Sequence, residues 1–408
     1  MSNWLDTRRA TAAASLNDVA LPTADLEVWR YSPIDELDLS RYATVAAAPS
    51  ADRSVNGAFL PDQRAALVVV RDDTIVRIEI GDDAAAAGLT ITPFEELTDQ
   101  PANLGTAVSE PDALTLRNDA FGTGGVYIAV PRNAVISGPV VVVHDVTLDA
   151  TLSLPRVLVD AAESSDVTVL DVATSADVDA LVLPVVELHA APNATLRYQS
   201  IQALGPRVWQ IGTTGARVGR DAHLTSAAVA LGGAFARTRL DSKVLGPGAE
   251  TELVAAYFGS GTQIHDFRTL QDHHAPKTTS ELLFKGVLTD ISRSVYSGLI
   301  RIRPGAAGSA AFQTNRNLVL GEGAHADSVP NLEIEENDVK CSHASAVGPV
   351  DADQQYYLEA RGVPSDVAER LIVLGFFDDV LERTPVAELR APLRAAVGAK
   401  LAASGIGR

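Results

Sequence analysis

Cysteine is nearly missing from this chain: Cys341 is the single one among 408 residues. One thiol excludes an intrachain disulfide and any all-cysteine metal site held by one chain, and it favours a reducing cytoplasm as the working compartment. Aromatic residues are also scarce, at 5%, so Val, Ile, Leu and Ala must fill the core. Cations are outnumbered, 33 Lys and Arg against 52 Asp and Glu, for a net charge of −19. Nucleic acid and anionic lipid reward Lys and Arg, so neither is an expected partner. Long apolar runs are lacking too. Leu181 to Leu188 and Ser226 to Ala236 are the most apolar stretches, well short of the roughly 20 residues a membrane helix needs. Near the start, Arg8-Arg9 precede only Ala10 to Leu16 before Asn17 and Asp18. That is too short and too polar for the apolar part of an export signal, so none is expected.

What is present is apolar material: 46% of the residues are hydrophobic, ample for a large core in two or three domains or in one long repetitive one. Residues 1 to about 60 read as helix and loop. Leu67 to Val70 and Ile75 to Ile78 read as a hairpin turning at Asp72-Asp73. From about residue 125 short β-branched runs follow one another: Val126 to Ile128, Val140 to Val143, Val157 to Val159, Val167 to Val172, Leu181 to Leu188. Between them a turn residue followed by Ala recurs, at Asn193-Ala194, Asp221-Ala222, Gly248-Ala249, Gly305-Ala306 and Gly323-Ala324. That recurrence suggests a solenoid, most naturally a parallel β-helix, with a large β-sandwich as the alternative.

After Gly348 the period becomes helical. Asp351 and Gln354 form a capping-box pair, Gly362 suits a helix stop, and Ser365 suits the next N-cap. Val367, Leu371, Leu374 and Val380 make an apolar stripe thickened by Phe376 and Phe377, and Pro385 opens a third helix. The expected domains are a mixed helical region with a hairpin over 1–122, a β-helix core over 123–348 and a helical domain over 349–408.

The chemistry-bearing residues gather in two places. If the chain is extended from Val339, then Val339, Cys341 and His343 share one face. Cys341 and His343 then have α-carbons roughly 6.6 Å apart, close enough for thiolate and imidazole to reach one metal. Two ligands do not close a tetrahedral site, so others must come from elsewhere; the plainer reading is a structural cysteine beside a surface histidine. His265-Asp266 with Asp272-His273-His274 could bind metal or transfer protons, though such residues in a Pro-containing loop more often serve turns. His325 and Asp327 in a Gly-rich turn read the same way. No Gly-x-Ser-x-Gly elbow, Gly-x-x-x-x-Gly-Lys-Ser/Thr loop or Gly-x-Gly-x-x-Gly fingerprint occurs, so neither nucleophilic catalysis nor nucleotide turnover is expected. An exported β-helix carbohydrate lyase or hydrolase and an adaptor without a metal role are the rival classes.

Several motifs together are similar to a known family. His273-His274-Ala275-Pro276-Lys277-Thr278-Thr279-Ser280 and Phe284 to Asp290 resemble the shared core of SufB/SufD proteins. Gln313 to Leu318 and Asp338-Val339-Lys340-Cys341-Ser342-His343 resemble the SufD branch. Tyr357 to Gly362 and the earlier Trp29-Arg30-Tyr31 continue the likeness. Where the family often has Gly and Thr after the histidine, Ala344 and Ala346 stand here. The resemblance implies a right-handed parallel β-helix between N- and C-terminal helical regions. It implies a non-catalytic scaffold subunit of SUF iron–sulfur cluster assembly, pairing with SufB through the β-helix and with the SufC ATPase through the helices after about 350. Phe376-Phe377 would be the apolar anchor for SufC. The isolated chain could form a homodimer. The family's cluster-linked histidine falls on His343 and its neighbouring cysteine on Cys341, with a transient iron–sulfur cluster at the interface; nothing in the residues supports a flavin site.

Overall fold

The computed structural model describes residues 3–45, 57–108 and 110–405. Part of the segment read as helix and loop, residues 46–56, lies outside them. The chain is mainly β, 44% strand and 21% helix, and forms a parallel β-solenoid of about eight turns with helices at both termini. Successive strands alternate between two long sheets. Along the first run Gly125–Val130, Arg156–Ala161, Val185–Ala190, Trp209–Val218, Phe235–Val244, Ile264–His273, Arg293–Ile302 and His325–Ile334. Along the second run Val135–Val146, Asp166–Ser175, Thr195–Ala203, His223–Ala230, Glu250–Gly259, Thr279–Leu288, Ser309–Val319 and Val339–Gly348. The apolar run Leu181 to Leu188 is two strands, Ala180–Val182 and Val185–Ala190, broken before Pro184.

One corner of the coil explains the recurring turn residue. Asn193, Asp221 and Gly248 have φ of 59°, 52° and 72°, and each is followed by a fully buried alanine, Ala194, Ala222 or Ala249. The left-handed residue swings the chain inward and only a small side chain fits behind it. A Cβ on Gly248 would lie 2.1 Å from Asp221 Oδ1, so the Asp221 carboxylate would have to move to admit one. The row continues through Lys277 and Gly308, at φ 57° and 74°, whose amides donate to Ala307 and Asp338. Gly305-Ala306 and Gly323-Ala324, which look like members of the row in sequence, stand outside it.

Strand pairing reaches back before residue 123. Ala66–Arg71 pairs in parallel with Val135–Val146 and antiparallel with Thr74–Ile80. Asp72 and Asp73 both have positive φ, 45° and 58°, as a two-residue hairpin turn demands. Both are buried. Asp73 accepts from Ser153 Oγ and Leu154 N at 2.7 Å, and Asp72 from Thr147 N at 2.7 Å, so the turn is tied to the solenoid wall.

The helices are α1 (Asn3–Ser15), α2 (Asp82–Ala86), α3 (Ala113–Phe121), α4 (Ala352–Glu359), α5 (Ser365–Leu381) and α6 (Arg390–Ala403). Among the described residues none is long and apolar enough to cross a membrane. Val373, Phe377, Val380, Leu393, Val397 and Leu401 of α5 and α6 pack into the outward-facing Val, Leu and Ile residues of the second sheet. Lys285 Nζ donates to Asp379 at 2.6 Å and to the Phe376 carbonyl at 2.9 Å, fastening α5 down. Asp351 caps α4 and Gly362 follows it at φ 85°. Ser365 is already the first residue of α5, with Pro364 at its N-cap; its hydroxyl accepts from Gln355 instead. The third helix begins at Arg390, after a short 3-10 turn at Ala387–Leu389, and not at Pro385.

Candidate functional site

The lumen changes character along the coil. Its early turns hold aliphatic residues such as Val140, Val169, Leu188 and Leu196. Then come stacked rings: Phe284 lies 5.4 Å from Phe267 and 5.5 Å from Tyr296. The last turns are polar. Tyr257 Oη donates to Asn317 Oδ1 at 2.6 Å and accepts from Asn315 Nδ2 at 3.0 Å, while Gln313 Nε2 donates to Tyr296 Oη. Asn315 Oδ1 accepts from Ser328 Oγ and Ser328 Oγ from Ser345 Oγ, both at 2.8 Å, which carries the network to the final turn. Gln313, Asn315 and Asn317 alternate along one strand, so their shared inward face was readable as period two; nothing in the sequence marked that face as lumen.

That final turn is open. His325–Ile334 and Val339–Gly348 are the edge strands of their sheets, each paired on one side only. Leu332, Ile334 and Val347 are exposed there. Long unprotected edges with apolar side chains are unusual unless another chain covers them. At the other end the coil is closed by the antiparallel strands Thr74–Ile80 and Thr90–Pro93.

Cys341 and His343 stand on this open edge. Val339–Gly348 is extended, and Cys341 lies across from Ala311 and His343 across from Gln313. Ala311 and Gln313 are buried inward-facing residues, so both candidate ligands face the mouth of the lumen. Cys341 is half-buried against Ile300, Ile302, Ala306 and Ala311. Burial pushes its thiol up, against a smaller lowering by the Ala311 backbone, so a metal must displace its proton to bind. His343 is exposed. Among the described residues no group of three or more His, Cys, Asp or Glu is placed to hold a metal ion.

The other cluster is a strand, Ile264–His273, and not a loop, and alternation splits it. His265 faces the lumen, buried, with Nε2 donating to the Phe258 carbonyl at 3.2 Å; burial pushes it down to about 3. His273 also faces inward, bonded to Thr278 and Ser280 at 2.7 and 2.8 Å, and burial pushes it down to about 4. Asp266 and Asp272 face outward. Burial alone would raise Asp266, but Arg237 and Arg268 hold it below the usual carboxylate range. Arg237 reaches it at 2.6 Å and stacks 3.8 Å from the Trp29 ring, so this carboxylate pins the N-terminal Trp29 segment to the wall. Asp272 binds Arg303 at 2.8 Å and His274 at 3.0 Å. His325 pairs with Asp327 at 3.1 Å on the exposed edge. Alternation therefore puts His265 and His273 in the lumen and Asp266 and Asp272 outside it, while Asp272 and His274 stay paired.

The sequence reading also misplaced an exposed anchor. Phe377 is buried in the α5–sheet core and Phe376 holds Lys285 4.6 Å from its ring. The exposed apolar residues of the helical region are Tyr356 and Tyr357 on α4 and Val367 and Leu371 on α5.

A family model described as SUF system FeS cluster assembly, SufBD core domain, matches residues 144–376. An iron-sulfur cluster assembly SufBD family protein of Mycobacterium tuberculosis is 42% identical over 190 residues, 45% of this chain and 48% of that protein; the chain thus spans about half the length of this relative. The iron-sulfur cluster assembly protein SufD of Bacillus subtilis is 26% identical over 412 residues, 98% of this chain and 94% of that protein. The Escherichia coli SufD protein is 26% identical over 395 residues, 93% and 89% of the two chains. With the matched core covering more than half of the solenoid-bearing chain, and both SufD proteins aligning along nearly all of it, the chain belongs to the SufB/SufD family of the SUF iron–sulfur cluster assembly system.

Proposed function

We propose that this chain is a non-catalytic, cytoplasmic scaffold subunit that pairs with SufB through the open end of its solenoid and docks the SufC ATPase through its C-terminal helices. The observation that carries the reading is the uncovered final turn: two parallel edge strands, exposed Leu332 and Val347, and His343 on the inward register. A second solenoid abutting these edges would satisfy their free backbone groups and bury their apolar side chains, as strand addition does elsewhere. The iron–sulfur cluster is the cargo. Imidazole from His343 and, once deprotonated, thiolate from Cys341 supply part of its ligands, and SufB supplies the rest. Burial raises the Cys341 thiol, so recruiting it as a ligand releases its proton.

SufC docking is assigned to Tyr356, Val367 and Leu371, the exposed apolar residues of α4 and α5. Co-expression of the chain with SufB and SufC, followed by size-exclusion chromatography with light scattering, tests the reading. One particle containing all three chains is expected. A chain that elutes alone, or as a homodimer indifferent to SufB, contradicts it.

A further inference from the structure

The hydrogen bonds at the mouth of the lumen run in one direction, and that direction carries through to the open edge. Ser345 lies across from the buried Asn315 on the last strand, so it shares the inward face of Cys341 and His343. Its hydroxyl is bonded to Ser328 Oγ, and Ser328 Oγ to Asn315 Oδ1, each at 2.8 Å. Two hydroxyls can be bonded either way round, but here a third group decides. The Phe284 carbonyl, which can only accept, lies 3.5 Å from Asn315 Nδ2. It keeps the amide nitrogen on its own side and leaves Oδ1 for Ser328. Asn317 Nδ2 donates to the same Oδ1 at 2.9 Å. An amide oxygen has no proton to give, so Ser328 donates to Asn315 and Ser345 donates to Ser328.

The Ser345 proton is therefore spent on the inner side. What its Oγ has left to offer at the mouth is lone pairs, and the residue is exposed. A second row ends in the same sense one turn further in. Gln313 lies across from His343 and donates through Nε2 to Tyr296 Oη. Tyr296 Oη in turn meets Thr269 Oγ1 at 3.2 Å. Gln313 Oε1 is buried with no partner among the described residues. Both rows thus spend their donors inward and finish in acceptors. An abutting carbonyl or carboxylate would leave Ser345 Oγ desolvated and unpaired, which is costly in a closed interface. An abutting N–H group would pair with it.

We propose that the chain abutting the open end sets a side-chain N–H group, from Arg, Lys, Asn or Gln, against Ser345, and that Ser345 thereby selects the partner the mouth accepts. In the scaffold reading proposed above, on which this rests, that chain is SufB. The added content is the chemistry of the contact: a donor is matched at Ser345 and an acceptor is refused there, so specificity comes from the mismatch as much as from the match.

Calorimetric titration of SufB into the full chain and into two variants tests it. Ser345→Lys sets a donor against the expected donor and should weaken binding by about tenfold or more. Ser345→Asp keeps an acceptor at the same place and should bind within about threefold of wild type, or more tightly. Thermal melting of each variant reports folding, which an exposed position should leave intact. If wild type binds SufB and folded Ser345→Lys binds equally well, or Ser345→Asp loses as much affinity as Ser345→Lys, the donor contact is overturned and the scaffold reading stands. A folded wild-type chain that does not bind SufB overturns both.

Discussion

His343 lies across from Gln313 in parallel register, yet Gln313 is 1% exposed and His343 is open to solvent. The two residues occupy the same inward position on successive turns. A further strand covers the first and none covers the second. The imidazole is thus held at the mouth of a polar lumen by a rigid strand, where an abutting chain would meet it.

The edge itself can be closed to a partner. Lysine at both Leu332 and Val347 would bury two unpaired charges in any abutting interface. Both positions are exposed in the isolated chain, so folding should be unaffected. Pull-down with SufB should fall by at least about tenfold while the melting temperature stays within a degree or two of wild type.

The helical region makes a paired prediction. Leu371→Glu with Tyr356→Ala should release SufC and leave SufB bound, because both side chains are exposed. Phe377→Ala should instead cost about 3–5 kcal/mol of stability by opening a cavity in the α5–sheet core. Chemical denaturation and a SufC pull-down separate the two effects. Deleting everything after 350 would be uninformative, since it strips the cover from a large apolar face.

The α5 case also shows what the sequence could and could not reveal. The stripe of Val367, Leu371, Leu374 and Val380 was legible as a helix, but which flank met the sheet was not, so Phe377 read as an anchor and proved to be core. The left-handed turn row was legible at Asn193, Asp221 and Gly248, because a turn residue before a small one leaves a mark. It was lost at Lys277, where an ordinary lysine takes φ of 57°, and its later members were misassigned to Gly305 and Gly323. Cys341 and His343 were legible as one strand face from their spacing. The open end was not, because an edge strand and a central strand with the same alternation differ only in what lies beside them. His265 and His273 looked like one cluster with their aspartates until strand alternation put them on opposite faces.

Those two histidines give a pH dependence. Both are held neutral in the folded chain, with values pushed down to about 3 and about 4, against about 6.5 when unfolded. Above pH 6.5 both states leave them neutral and their contribution is complete. Below it the unfolded chain takes up protons that the folded chain refuses, so stability falls as pH drops from about 6.5 toward 4 for His273 and toward 3 for His265. Each can contribute a slope of up to about 1.4 kcal/mol per pH unit. Denaturation midpoints between pH 7 and pH 5 should decline more steeply in wild type than in His265→Leu.

The lumen aromatics predict a further stability loss. Phe284 is fully buried between Phe267 and Tyr296, and Phe284→Ala should destabilise the chain by about 3–5 kcal/mol. Urea unfolding measures it directly.

The central claim is that His343 supplies a ligand at a shared interface. Iron and acid-labile sulfide measured on the reconstituted complex of this chain with SufB and SufC test it most directly. The His343→Ala complex should assemble with wild-type stoichiometry and circular dichroism but hold much less iron and sulfide, with Cys341→Ser showing a smaller or comparable loss. A His343→Ala complex that assembles normally and builds clusters at the wild-type rate and level would contradict the claim and leave the chain an adaptor without a metal role.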